Sequence, residues 1–113
     1  MARYLISFDD GAMDHIPDDE WPAVAAASHA VVAQAQAAGV WIFGGGLRRQ
    51  RASIVAVDGS VAAGPAPESK AVIGGFSVIE VPTRQEALEW AARIAVGCRC
   101  AQEVRLIMDD PEA

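Results

Sequence analysis

Phe76-Ser77-Val78-Ile79-Glu80-Val81-Pro82-Thr83-Arg84-Gln85-Glu86 reads as a strand that runs directly into a capped helix. Strict alternation puts Phe76, Val78 and Glu80 on one face and Ser77, Ile79 and Val81 on the other. Pro82 closes the strand, because proline has no N–H for the ladder. Thr83 and Glu86 then match a capping box, in which each side chain satisfies the other's free backbone donor. Ala87, Leu88, Ala91, Ile94 and Ala95 recur at helical spacing and predict a buried stripe. The helix is expected to reach about Ala95, with Gly97 as its stop.

Upstream lies Gly64-Pro65-Ala66-Pro67-Glu68-Ser69-Lys70-Ala71-Val72-Ile73-Gly74-Gly75. Two prolines stiffen it and its glycines permit sharp turns or close approach, so it reads as a shaped loop rather than a flexible linker. Before it, Ser53–Val57 and Ser60–Ala63 flank Asp58-Gly59, a strong hairpin signal. Val40-Trp41-Ile42-Phe43 predicts a strand cut by Gly44-Gly45-Gly46. That glycine run implies a bulge, a bend, or room for a ligand or another backbone. A helix is expected from about Glu20 to Ala38, with Asp18 or Asp19 as N-cap and Gly39 as the C-terminal stop. Its apolar face is Trp21, Val24, Ala25, Ser28, Val31, Val32 and Ala35. Arg3–Phe8 opens the chain as a strand, Glu103–Met108 closes it as another, and residues 109–113 form an acidic tail.

Without the hairpin the order is βαββαβ, an α+β ferredoxin-like arrangement in one domain over residues 1–108. Both helices then cover one face of an antiparallel sheet. The first strand and Phe76–Val81 are apolar on both sides, so the opposite face needs cover too. A second copy would supply it, and a homodimer is expected.

The 113 residues suit a single core, and a 52% hydrophobic fraction is ample to fill it. A net charge of −6 argues against nucleic acid or an anionic membrane as partner; Arg48-Arg49-Gln50-Arg51 is too short to reverse that. No segment has the roughly 18 consecutive apolar residues of a membrane helix. The N-terminus lacks the h-region of a signal peptide, so a cytoplasmic protein is expected. Cys98 and Cys100 are too close for an unstrained disulfide and too few for a metal site, which leaves two reduced thiols. Gly44-Gly45-Gly46 lacks the Lys-Ser/Thr of a phosphate loop. No metal and no cofactor are expected.

In order along the chain, several pieces are similar to the YCII-related proteins, in particular their DGPF-domain branch. They are Arg3-Tyr4-Leu5-Ile6, Ala37-Ala38-Gly39-Val40, Gly46-Leu47, Gly64-Pro65 with Glu68-Ser69-Lys70, and Gly74-Gly75-Phe76. The run Glu86-Ala87-Leu88-Glu89-Trp90-Ala91-Ala92-Arg93 and Glu103-Val104-Arg105 complete the likeness. The resemblance implies a dimeric α/β-barrel with a cleft near the subunit contact, and a family mostly of undefined function. It also implies a catalytic His and Asp pair. His29 falls where that His would stand. The Asp of the branch signature would fall at Ala63 and the Phe at Ala66, so this chain departs from the signature itself.

His29 lies about 40° around the helix from Ala25 and about 60° from Val32, at the edge of the apolar face. It can act there as an acid/base near neutral pH, or simply bond a backbone carbonyl. Glu68 and Lys70, two apart in an extended segment, can bind a polar ligand or form an exposed ion pair. Asp9, with Asp10, can replace the missing acid or serve only as a turn. Trp41, with Phe43, can line a cleft or pack in the core or at a dimer contact. Two readings follow: a binding or degenerate enzymatic module for a small molecule, or a metal-free enzyme using His29 on a small organic substrate.

Overall fold

The computed structural model describes residues 1–48, 52–66 and 72–112. Its elements are β1 (Ala2–Asp9), α1 (Trp21–Ala37), β2 (Trp41–Gly46), β3 (Ser53–Val55), β4 (Val61–Ala63), β5 (Ile73–Val81), α2 (Arg84–Cys98) and β6 (Glu103–Leu106). Four strands form an antiparallel sheet in the order β2-β5-β1-β6, while β3 and β4 form a separate ribbon. This is the ferredoxin-like α+β fold with an inserted hairpin.

Pairing fixes which residues share a face. Tyr4 opposes Ile79, Ala2 opposes Val81 and Ile6 opposes Ser77. Tyr4, Ile6, Ile79 and Val81 pack with Ala87, Ala91 and Ile94 of α2 to make the core. Val24 and Ala35 of α1 are buried as well. Apolar burial of this kind supplies the main stabilisation of the fold.

Among the described residues no layer lies over the other sheet face, and the molecule is only 20 Å through its thinnest direction. Leu5, Phe76 and Val78 there are half-buried, and Phe43 is 62% exposed. The ring centroids of Phe43 and Phe76 stand 5.8 Å apart. Arg3 and Glu80 form an ion pair at 3.0 Å on the same face.

Local chemistry explains most boundaries. Thr83 Oγ1 accepts the Glu86 N–H at 3.2 Å, the first half of the capping box. Asp58 Oδ1 accepts from both the N–H and hydroxyl of Ser60, and Gly59 takes φ +87°, which closes the β3–β4 turn. Those bonds hold the Asp58 carboxyl below its usual range, the backbone bond most. Gly39 takes φ +74° just after α1, as its reading as a stop requires.

Several boundaries differ from expectation. Asp18 and Asp19 form a short 3-10 turn ahead of α1, and no side chain caps the helix. Gly44-Gly45-Gly46 does not cut β2; the strand runs through all three. Gly74 and Gly75 belong to β5, not to a loop. The strand expected over Ser53–Val57 stops at Val55.

Gly97 does not stop α2, which continues to Cys98 and ends at Arg99 in the left-handed region, φ 56°. Gly97 is buried, and a Cβ on it would lie 3.3 Å from Ala27 O and from Ser28 Cα. Its glycine therefore permits close contact between the helices. An ion pair between Arg99 and Glu20 joins their ends. Gly97→Val should lower stability by about 1–3 kcal/mol through overpacking, despite the better helix propensity of valine. Urea unfolding tests this, and an unchanged midpoint would mean that the two backbones are not in tight contact.

Candidate functional site

A cavity of about 370 Å³ opens between the helix layer and the β2 side of the sheet. Ser28, His29, Val31 and Val32 of α1 line it at helical spacing. Ile94 and Cys98 come from α2, one turn apart, and Gln102 from the segment before β6. Phe8, Trp41, Ser77 and Gly44-Gly45-Gly46 come from the sheet.

Two aromatic rings shape the sheet side, and each lies against a glycine. Phe8 opposes Gly75, and a Cβ there would stand 2.4 Å from Phe8 Cζ. A Cβ on Gly44 would stand 3.0 Å from Trp41 Cη2, and 2.5 Å from Phe76 O. Any larger residue would lift these rings from the sheet. Gly46 is different: it shares the helix-side face with Gly75, and a Cβ on it would meet nothing within 4 Å. Side-chain space at Gly46 is left to the cavity.

A bulge in β2 selects which aromatic enters. Trp41 pairs with Ile79 and Phe43 with the next residue, Val78, leaving Ile42 as the extra residue. Regular alternation would put Trp41 and Phe43 on one face. The bulge sends Trp41 toward the helices and Phe43 to the open face, so only Trp41 lines the cavity. A second bulge leaves Gly74 extra in β5, where a Cβ would come within 2.9 Å of Asp9 O.

His29 is exposed and stands at the rim. No ion pair joins it to a carboxylate among the described residues. Asp9 ends β1 on the surface and does not line the cavity, although its neighbour Phe8 does. Glu68 and Lys70 lie outside the described residues. His15 is exposed. Of the residues singled out from sequence, the cavity thus gathers His29, Trp41 and the triple glycine.

It also gathers polar groups that sequence reading passed over as site residues. Ser28 Oγ donates to Ala25 O at 3.1 Å, which leaves its lone pairs to the cavity side. Gln102 Nε2 bonds Cys100 O at 3.3 Å and Cys100 Sγ at 3.5 Å. Burial pushes the Cys98 thiol above its ordinary range, and Cys100 adds to the effect. Burial raises Cys100 too, against the opposing bond from Gln102. Both cysteines are free thiols, and no cluster of His, Cys, Asp and Glu could hold a metal among the described residues. No helix among those residues is long and apolar enough to cross a membrane.

Carbamidomethylation of Cys98 in a Cys100→Ser variant is expected to show a pH midpoint above the ~8.5 of a free thiol. A midpoint at or below that value would mean that water reaches the sulfur freely. The same shift makes stability fall as pH rises through the thiol range, because the unfolded chain releases those protons first.

Among known proteins, the family model described as the YCII-related domain matches residues 5–109. No curated protein matches the chain.

Proposed function

Because the chain belongs to the YCII-related domain family, we propose that it is a small-molecule-binding member of that family, its ligand seated between α1, α2 and the glycine run of β2. One observation carries this reading: the cavity is sized for a ligand and furnished like a binding site. Its volume of about 370 Å³ sits at the low end of the ~300–1,000 Å³ common for small-molecule sites. Apolar walls from Phe8, Trp41, Val31, Val32 and Ile94 surround a few polar groups. Trp41 is the main apolar contact and His29 the polar group at the mouth. Glu68 and Lys70, which lie outside the described residues, remain candidate contacts, and the reading depends neither on them nor on Asp9.

The placement of His29 favours a second reading, in which the same cavity retains acid/base chemistry. An imidazole at the rim can exchange a proton with a bound molecule near neutral pH, with no metal required. The signature Asp has no equivalent at Ala63, so such chemistry would proceed without a carboxylate to orient the ring.

The open sheet face supports a homodimer. Leu5, Phe43, Phe76 and Val78 form an apolar centre, and Arg3–Glu80 provides a polar margin. Val55 and Val61 of the ribbon are 66% and 67% exposed and add apolar surface that a second copy can cover. With its DGPF-branch likeness and a cytoplasmic setting, this describes a small paired binding domain.

A thermal-shift screen of small organic molecules tests the binding reading. Hits should raise the melting temperature of the wild type and lose that effect in Gly46→Leu, which fills the cavity. Hits that persist in Gly46→Leu would place binding elsewhere. His29→Ala should reduce affinity only modestly under the first reading, and should abolish turnover of a converted hit under the second. Phe43→Asp should turn a dimer into a monomer in analytical ultracentrifugation. A wild type that sediments as a monomer at micromolar concentration would overturn the dimer.

A further inference from the structure

Among the described residues, the cavity presents hydrogen-bonding groups but no carboxylate, ammonium or guanidinium. None of the described lining residues is Asp, Glu, Lys or Arg. Ser28, His29 and Gln102 supply hydrogen-bonding groups on the helix side, and Ser77 adds one from the sheet. On the sheet side, Phe8 and Trp41 lie against Gly75 and Gly44 and offer aromatic surface. We infer that the ligand is an uncharged, compact ring compound with one hydrogen-bonding group, a phenol- or lactone-like molecule rather than a carboxylate, phosphate or ammonium. This rests on the cavity being a binding site, and it adds the chemical class of what binds.

Three physical arguments lead there. An ionised ligand would leave water for an apolar site where no described residue carries an opposite charge to meet it, which is costly. An anion would also approach a chain of net charge −6. Desolvation already disfavours the charged form of a thiol in the same wall. A ring suits the space because flat apolar surface stacks against Phe8 and Trp41. Ser28, His29 and Gln102 stand on the helix side, so a single hydroxyl or carbonyl can reach them while the ring faces Phe8 and Trp41. A cation could use the aromatic faces instead, and the experiment separates that case.

Naphthol, naphthoate and naphthylmethylammonium share a bicyclic body and differ in charge near neutral pH. Their binding is measured by tryptophan fluorescence and calorimetry at physiological salt, on wild type, Gly46→Leu and His29→Arg. Naphthol should bind at least about tenfold tighter than either ion. His29→Arg, a change at an exposed position, should shift the preference toward naphthoate. Tighter binding of naphthoate or of the ammonium, lost in Gly46→Leu, would overturn the charge class and leave the cavity reading standing. Naphthol binding that Gly46→Leu leaves unchanged would overturn the cavity reading and this inference together. So would an absence of binding by all three.

Discussion

Two rings pressed on two glycines set the shape of this molecule. Phe8 lies across Gly75, and Trp41 lies against Gly44, each within the distance a methyl group would need. A ring on a glycine covers backbone that no side chain would otherwise shield. It also lies low, so the helices cannot close onto the sheet as they do over Tyr4, Ile6 and Ile79. At one end the layers meet in a packed core. At the other, flat rings and small residues leave a gap, and the cavity is that gap.

The strand and helix ends that depend on local chemistry were readable from sequence. Thr83 caps α2, Gly39 follows α1, and Asp58-Gly59 turns the ribbon, each through bonds within a few residues. Alternation in Phe76–Val81 gave the two faces of β5 correctly. The features that were not readable depend on distant partners. Gly97 resembles a helix stop until Ala27 and Ser28 of the other helix are placed beside it. Trp41 and Phe43 share a face in any regular strand, and only pairing with β5 reveals the extra Ile42 between them.

The site was partly legible for the same reason. His29 could be placed at the edge of its helix from spacing alone, and the glycine run could be read as space. Cys98 and Gln102 could not be joined to them, because the close crossing of α1 and α2 brings them together. Asp9 shows the reverse case. It adjoins a cavity residue in sequence, yet alternation and the bulge at Gly74 turn it to the surface. A carboxylate one residue from a site can be chemically outside it.

β5 gives the two sides of the sheet a common element. Ser77 faces the cavity, and Phe76 both borders it and meets Phe43 on the open face. Gly44, with a Cβ position 2.5 Å from Phe76 O, locks the backbone of β2 to the same point. No slack remains there for one face to rearrange alone, since packed interiors transmit displacement rather than absorb it. Phe43 on the open face therefore abuts a residue that also walls the cavity.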